Sequence, residues 1–121
     1  MVAAAGRASA IVVASLVVAD ATARYLRANA DEVTLVATDQ PAEDGTGHED
    51  ELCASYLEAL LAGRRPDAPA VLAEIWRRET SNWPEWFPRR DAELACDIDR
   101  FSFALPVRRE SGLLVARPVF L

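Results

Sequence analysis

Two hydrophobic patterns follow one another in the first third of the chain. Residues 10–15 form a continuous apolar run, which is typical of a strand buried on both faces of a sheet. Residues 20–29 have a helical pattern, with Asp20 near the start and Arg27 near the end, where the helix dipole favours them. Residues 33–37 predict a second short buried strand. This order predicts a parallel βαβ unit with a right-handed crossover.

Helical spacing dominates the middle of the chain. A helix is predicted from Glu49, with apolar residues on one face and Gly63 as its stop. Further helices are predicted at residues 69–79, with Pro69 in the first turn, and at residues 91–99. The residues expected to face inward on these helices are Leu52, Cys53, Tyr56, Leu57, Leu60, Leu61, Val71, Leu72, Ile75, Trp76, Leu94, Ala95 and Ile98.

The last quarter changes to strand periodicity. Apolar residues alternate over residues 101–107, a turn follows at 110–112, and residues 113–120 read as a second strand. These strands predict an antiparallel hairpin, and Pro106 and Pro118 place one or both at a sheet edge. The aromatic and proline-rich segment 81–88 is interpreted as a packed cover over the sheet edge, with an exposed recognition surface as the alternative.

Composition limits the possible functions. The chain has 121 residues, of which 51% are hydrophobic, so one domain of ordinary size with a buried core is expected. A net charge of −6 argues against a nucleic-acid partner. Cys53 and Cys96 suit a reducing, cytoplasmic location and are expected to be buried free thiols. The apolar N-terminal run resembles a weak secretory signal, but we favour the buried strand, since no run reaches the length of a membrane helix.

The candidate chemistry lies in an acidic stretch. Six carboxylates fall between Asp39 and Glu51, directly before and within the first turn of the helix predicted from Glu49. In open α/β sheets, ligand sites lie beyond the ends of strands, and Mg²⁺ binds one or two carboxylates together with substrate phosphate and water. Glu49 and Asp50 therefore predict a metal-assisted phosphate site. The alternative is a solvated acidic face, because any helix start favours acidic residues.

Other candidate residues carry weaker patterns. His48, the one histidine, could act as a general acid or base, although a loop histidine is more often solvated. Ser15 ends the first predicted strand, where a nucleophile could lie, but no Gly-x-Ser-x-Gly elbow surrounds it. Arg108 and Arg109 could bind an anion or simply face solvent beside the hairpin turn.

Several segments in a fixed order resemble a known family. They are Val-Val-Ala-Ser-Leu-Val at residues 12–17, Val-Thr-Leu-Val-Ala at 33–37, Glu-Asp-Glu-Leu-Cys-Ala at 49–54, and the acidic and strand segments between residues 91 and 107. In this order the chain resembles the C-terminal half of the 2-phosphosulfolactate phosphatase family, the ComB-like proteins. The resemblance covers nearly all of this chain but about half of a family member.

The resemblance implies both a fold and an activity. It implies a three-layer α/β/α domain with a mixed sheet over residues 1–121, and Mg²⁺-dependent hydrolysis of a small anionic phosphate ester on the bacterial route to coenzyme M. Glu49 and Asp50 match the acidic pair of the family and would be catalytic and metal-binding residues. Ser15 matches the serine at the end of a strand and would also be catalytic. Asp91 and Asp99 match acidic positions near the C-terminus.

The chain also departs from the family. Ala14 stands where the family usually has Gly, Val18 stands where it usually has Asn, and the N-terminal half of the family is absent. A half sheet leaves an apolar edge open, so a homo-oligomer is expected. The alternative function is therefore a non-catalytic, truncated α/β module that dimerises or binds a partner. No membrane partner is expected.

Overall fold

Helices and a small antiparallel sheet make up the chain. The structure is a computed structural model that describes residues 8–38, 49–79 and 85–121. A short 3₁₀ turn, Leu16–Val18, joins the first strand to the first helix. The elements in chain order are β1 (Ile11–Val13), α1 (Ala19–Asn29), α2 (Glu49–Leu61), α3 (Ala68–Glu79), α4 (Arg89–Ala95), β2 (Phe103–Glu110), β3 (Leu113–Ala116) and β4 (Val119–Phe120). The predicted α/β class is therefore confirmed.

The long strand β2 forms the centre of the sheet. It pairs antiparallel with β1 on one side, where Ile11 lies opposite Val107. On its other side it pairs antiparallel with β3 and β4. Ser111 and Gly112 join β2 to β3 with φ angles of 48° and 84°, the positive values that a tight two-residue hairpin turn requires. The predicted C-terminal hairpin is confirmed.

Proline interrupts the outer strand of this hairpin. The amide of Arg117 donates to the carbonyl oxygen of Pro106 at 3.3 Å, but Pro106 has no N–H to return. The pairing therefore breaks between β3 and β4, where Pro118 lies. The predicted position at the edge of the sheet fits Pro118. Pro106 instead lies in the central strand, β2.

The core lies between the helices and one face of the sheet. A cluster of buried residues joins the 3₁₀ turn to three helices: Leu16, Ala19, Tyr56, Leu57 and Ile75. Helix α1 contacts both α2 and β2. The predicted helices are confirmed, with one error in their faces: Leu94 and Ala95 were expected inward but are exposed. Helix α4 is short and ends at Ala95, so its apolar residues are not all covered.

Two caps fix the ends of the middle helices. Gly63 has a φ of +73°, and the amides of Gly63 and Arg64 donate to the carbonyls of Leu60 and Ala59. This hydrogen-bonding pattern ends a helix at a residue with a left-handed backbone. The prediction that Gly63 ends this helix is therefore confirmed. At the start of α3, Oδ1 of Asp67 accepts from a first-turn amide at 3.1 Å.

The predicted N-terminal βαβ unit differs from the structure. Residues 33–37 form no strand. Their side chains alternate between half-buried and exposed, but they pair with no strand among the described residues. Strand β1 pairs with β2 alone. It is not buried on both faces either, since Val13 is 40% exposed. The part of the chain that the structure describes therefore contains no parallel unit.

One face of the sheet packs against α1, whereas the described side chains of the other face are half-buried or exposed. Ala104 and Pro106 of β2 are buried on the face that α1 covers. The alternate residues of β2 point the other way, together with the residues opposite them on neighbouring strands. This outer sheet face consists of Ile11, Val13, Phe103, Leu105, Val107, Arg109, Leu114, Ala116 and Phe120.

Aromatic rings are clustered on the outer sheet face. The ring of Phe103 lies 5.4 Å from the ring of Phe101 and 5.6 Å from the ring of Phe120, measured between centroids. Phe120 nevertheless remains 74% exposed. A face of half-buried and exposed side chains that are mostly apolar is typical of an interaction surface.

Candidate functional site

A cleft of about 290 Å³ brings the predicted site residues together. It lies where the end of β1 meets the first turn of α2 and one side of α4. Ser15, Glu49 and Asp50 all line it, although the serine is far from the acidic pair in the sequence. We call this space the acidic cleft; its other lining residues are Ala14, Leu16, Cys53, Ile75, Phe87, Ala92, Ala95 and Cys96.

Ser15 reaches the acidic cleft because the chain changes direction there. Its backbone is extended, with a φ of −161°, and its side chain makes no capping hydrogen bond to the 3₁₀ turn that follows. The amide of Val18 instead donates to the backbone carbonyl of Ser15 at 3.2 Å. The hydroxyl of Ser15 is therefore not used to cap the turn.

Glu49 contributes a buried oxygen that has no partner. Its Oε2 atom is buried and accepts no hydrogen bond within the described structure. A buried carboxylate oxygen without a donor is unfavourable, because it loses water and gains nothing in exchange. No arginine lines the acidic cleft among the described residues, so a bound cation or hydrogen-bond donor would satisfy this oxygen.

Asp50 differs from its neighbour because it is already hydrogen-bonded. Its Oδ2 atom accepts a hydrogen bond from the amide of Thr38 at 3.1 Å and a second, short one from the Thr38 hydroxyl. Asp50 thus ties the end of the extended segment 33–38 to the first turn of α2. The acidic pair predicted as one unit therefore consists of two carboxylates in different environments.

Two thiols lie deeper in the same cleft. Burial and, secondarily, the charge of Asp50 raise the pKa of the Cys53 thiol to about 11. Burial also raises the pKa of Cys96. Both cysteines are free, as expected. Since a thiolate rather than a thiol is the nucleophile, neither cysteine is activated for catalysis at neutral pH.

The donor set of the cleft fits Mg²⁺ in a limited way. Within residues 8–38, 49–79 and 85–121, no group of three or more His, Cys, Asp or Glu side chains could hold a metal ion. A zinc-type site made only of protein ligands is therefore not formed there. Mg²⁺ needs fewer protein ligands than zinc, because it keeps several waters and binds through one or two carboxylates plus substrate phosphate. The unpartnered oxygen of Glu49, beside Asp50, fits that requirement.

Asp99 has a structural role and does not line the acidic cleft. Its φ is +57°, and its Oδ1 atom accepts from the amide of Asp20 at 2.7 Å. It therefore caps the N-terminus of α1. Burial first, then the charges of Asp99 and Asp20, raise the pKa of Tyr56, so the phenol lies near both carboxylates.

The remaining candidates are exposed or lie outside the described residues. Asp91 is exposed in the first turn of α4. Arg108 and Arg109 are exposed beside the hairpin turn, and Arg109 donates to the carbonyl of Gly112 at 3.3 Å. Neither arginine lines the acidic cleft. The predicted roles of Asp39, Glu43, Asp44 and His48 fall on residues that the structure does not describe.

Sequence reasoning missed two residues of this region. Thr38 was not among the predicted site residues, yet its amide and hydroxyl donate to Asp50. Phe87 of the aromatic segment lines the cleft, while its neighbour Trp86 is 80% exposed, so the described part of this segment is only partly a packed cover. No local pattern distinguishes these residues, because both depend on contacts between distant segments.

A larger cavity, of about 530 Å³, lies between the end of α1, the segment that follows it and α2. Leu26, Val33 and Leu35 contribute to its apolar wall, and Arg27 and Glu58 also line it. None of the candidate site residues lines this cavity, so it has no connection with the predicted chemistry.

Comparisons with known proteins add no assignment. No protein-family model matches this chain, and neither a curated protein nor a solved structure is significantly similar to it. None of the helices in the described ranges has the length and apolar character that a membrane crossing requires.

Proposed function

We propose that the chain is a 2-phosphosulfolactate phosphatase-like hydrolase, which uses Mg²⁺ to hydrolyse a small anionic phosphate monoester. The observation that carries the proposal is the buried, unpartnered Oε2 atom of Glu49 in a cleft shared with Asp50 and Ser15. A buried carboxylate oxygen with no arginine among the described residues of its cleft favours a positively charged ligand. The resemblance to the phosphatase family supplies the identity of that ligand and of the reaction.

Three residues of the cleft have proposed roles. Glu49 and Asp50 would hold or orient Mg²⁺, and the hydroxyl of Ser15 would hydrogen-bond the phosphate ester. When bound, Mg²⁺ supplies charge neutralisation for the phosphoryl oxygens and lowers the pKa of bound water. The cleft volume of about 290 Å³ suits a small substrate. The proposed location is the cytoplasm, and the proposed pathway is coenzyme M biosynthesis.

The proposal is tested by phosphatase activity. Hydrolysis of a panel of small phosphate monoesters is measured with Mg²⁺ and with EDTA for the wild type and for Glu49→Gln. We expect Mg²⁺-dependent turnover in the wild type. We expect the variant to lose more than the roughly 10- to 100-fold that removal of a supporting residue near a metal causes.

Glu51→Gln is the matched control for this experiment. Glu51 lies in the same first turn of α2 but is exposed and does not line the cleft. The substitution Glu51→Gln removes the same charge as Glu49→Gln. It should leave kcat/KM within about twofold of the wild-type value, in line with the small effects typical of exposed charges. Wild-type turnover that Glu49→Gln leaves unchanged would refute the assignment of Glu49.

The proposal extends to the complete fold. A three-layer α/β/α arrangement with a mixed sheet needs a strand partner for residues 33–37 and a second helical layer over the outer sheet face. Two features support it: residues 33–37 are arranged with strand-like alternation but no partner, and the outer sheet face is apolar. Both would be satisfied by additional elements of a longer protein.

A second candidate function rests on the outer sheet face. We propose as the alternative that the chain is a non-catalytic module that dimerises by stacking this face on the same face of a second copy. An isologous dimer uses one patch on both subunits, and stacked sheets bury such apolar faces against each other. A stable dimer with no response to Mg²⁺ and no turnover would favour this function over the phosphatase.

A further inference from the structure

The extended segment 33–37 is held in place, but its backbone is not paired within the described structure. None of its amide or carbonyl groups makes a backbone hydrogen bond to another described residue. Before the segment, the amide of Ala30 donates to the carbonyl of Leu26 at 2.9 Å and ends α1. After it, Thr38 donates to Asp50. A fixed extended backbone with unpaired polar groups is the template on which a further strand can pair.

The side chains of this segment alternate as they do in a strand. Val33, Leu35 and Ala37 are half-buried, and Leu35 packs against the core cluster. Thr34 and Val36 are exposed, Val36 at 63%. Neighbouring strands of a sheet share their two faces. A strand paired with this segment would therefore place every second side chain on the inward face, beside Val33 and Leu35.

The cavity of about 530 Å³ lies where those inward side chains would be. Val33 and Leu35 line it from the segment, Leu26 lines it from α1, and Leu61 lines it from α2. An apolar side chain from a paired strand would contact these leucines. The segment and the cavity together provide the two parts of strand recognition, which are main-chain hydrogen bonds for affinity and a pocket for specificity.

The surroundings of the cavity carry a negative charge. Asp31 and Glu58 line the cavity, together with Arg27 as the one cation among its described lining residues. Glu32 directly precedes the segment. All three carboxylates belong to exposed residues, and they outnumber the guanidinium. Charge complementarity therefore favours a strand with basic residues and disfavours an acidic one.

We propose that the segment 33–37 is a docking site for an extended peptide strand of a partner protein, with apolar residues at alternate positions and basic residues at its ends. The strand pairs through its main chain with the segment and places an apolar side chain in the cavity. Its arginine or lysine side chains lie near the carboxylates of Asp31, Glu32 and Glu58. This interaction goes beyond the proposed hydrolase function and does not depend on it.

A second copy of this chain fits the segment less well than a basic peptide. Antiparallel self-pairing about Leu35 would place Glu32 of one copy opposite Thr38 of the other. Thr38 is hydrogen-bonded to the carboxylate of Asp50, so this arrangement brings acidic groups together at both ends of the pair. Like charges opposite each other destabilise a strand pair.

The test is the binding of a fluorescein-labelled peptide, Arg-Val-Thr-Val-Thr-Val-Arg, measured by fluorescence polarisation with the full chain. The matched control peptide is Glu-Val-Thr-Val-Thr-Val-Glu. We expect saturable binding of the basic peptide that weakens as NaCl is added, because exposed charges are screened by salt. We expect the acidic peptide to bind at least about tenfold more weakly, because its charges repel those around the cavity.

Two N-methylated forms of the basic peptide test the main-chain pairing without changing the protein. Alternate residues of a strand direct their N–H groups to opposite edges. Methylation of the three valine amides therefore blocks one edge, and methylation of the two threonine amides blocks the other. Because one edge pairs with the segment, we expect one methylated peptide to lose at least about tenfold in affinity and the other to bind as the parent peptide does.

Substitutions in the protein locate the binding site. We expect Asp31→Asn and Glu58→Gln each to weaken binding of the basic peptide by about two- to fivefold at low salt, as exposed charges typically contribute little individually. Glu85→Gln is the matched control, since Glu85 is exposed and does not line the cavity. It should leave the affinity unchanged. Thermal unfolding of each variant verifies that the fold is retained.

Three results would overturn the proposal. The first is equal binding of the basic and acidic peptides, or binding of neither. The second is equal affinity of the two N-methylated peptides, which would show that no single edge of the peptide pairs. The third is a parent dimer that the basic peptide dissociates, measured as solution mass, because a second copy would then occupy the segment in place of a partner.

Discussion

At the scale of single residues, the acidic cleft places a negative charge beside a buried thiol. The pKa of Cys53 is raised to about 11 by burial and by the charge of Asp50. A thiol that keeps its proton in the folded state but loses it in the unfolded chain links stability to pH. The stability that it contributes is present below the unfolded pKa, near 9, and is lost as the pH rises towards 11.

This link predicts the pH dependence of alkylation at Cys53. In a Cys96→Ala background, we expect the rate of reaction with iodoacetamide to rise up to about pH 11. Asp50→Asn should move the midpoint to lower pH because it removes the neighbouring charge. Glu51→Gln serves as the control and should leave the midpoint in place. A midpoint near that of free cysteine in the parent protein would contradict the burial of this thiol.

At the scale of elements, α1 begins at a cap that the C-terminal part of the chain supplies. Oδ1 of Asp99 accepts the hydrogen bond from the Asp20 amide, and the backbone of Asp99 is left-handed, with φ at +57°. Its own amide donates to the carbonyl of Leu16 at 3.0 Å. The side chain and the backbone of Asp99 thus fix the helix start together.

We predict that Asp99→Ala lowers the free energy of unfolding by about 2 kcal/mol, since it removes the cap and places Cβ of alanine in an unfavourable left-handed conformation. Asp99→Asn keeps an oxygen acceptor and tolerates the same backbone, so about 0.5 kcal/mol is expected, from the lost charge at the helix start. Urea unfolding at 25 °C measures both. Equal effects of the two substitutions would show that the cap does not stabilise α1.

The elements also show how far sequence reasoning extends. Helix α2 was predicted correctly because its apolar spacing, its acidic first turn and Gly63 all act locally. The strand at residues 33–37 was predicted wrongly because a β-branched run indicates an extended backbone but cannot supply the neighbouring strand that a sheet needs. Ser15 and Glu49 were predicted separately and line the same cleft, whereas the bond between Thr38 and Asp50 depends on a distant contact that the sequence pattern does not encode.

At the scale of the whole molecule, α1 packs on one face of the sheet, and the side chains of the outer sheet face are half-buried or exposed within residues 8–38, 49–79 and 85–121. The outer sheet face exposes Phe120 at 74% and Val13 at 40%. A dimer that buries a standard interface needs about 800 Å² from each partner. The apolar outer face is the surface best suited to supply it.

We therefore predict that Phe120→Asp converts a dimer into a monomer, measured as solution mass by light scattering. The control is Leu113→Asp. Leu113 is 68% exposed, but it lies opposite Glu110, on the other face of the sheet. The control should remain dimeric and keep the thermal stability of the parent, because its side chain is exposed, whereas Phe120→Asp should lose the stability that association adds. A monomeric parent protein, or a dimer that Phe120→Asp leaves intact, would contradict the use of this face.

The distant cap on α1 has a consequence for how the protein is made. The residues that it joins are 79 positions apart, so at synthesis rates of 5–20 residues per second the first helix waits about 4 to 16 s for its cap. Strand β1 must also wait for β2, its partner in the sheet. Residues 11–29 therefore leave the ribosome before these partners exist, and their folding is postponed until Asp99 and β2 have been made.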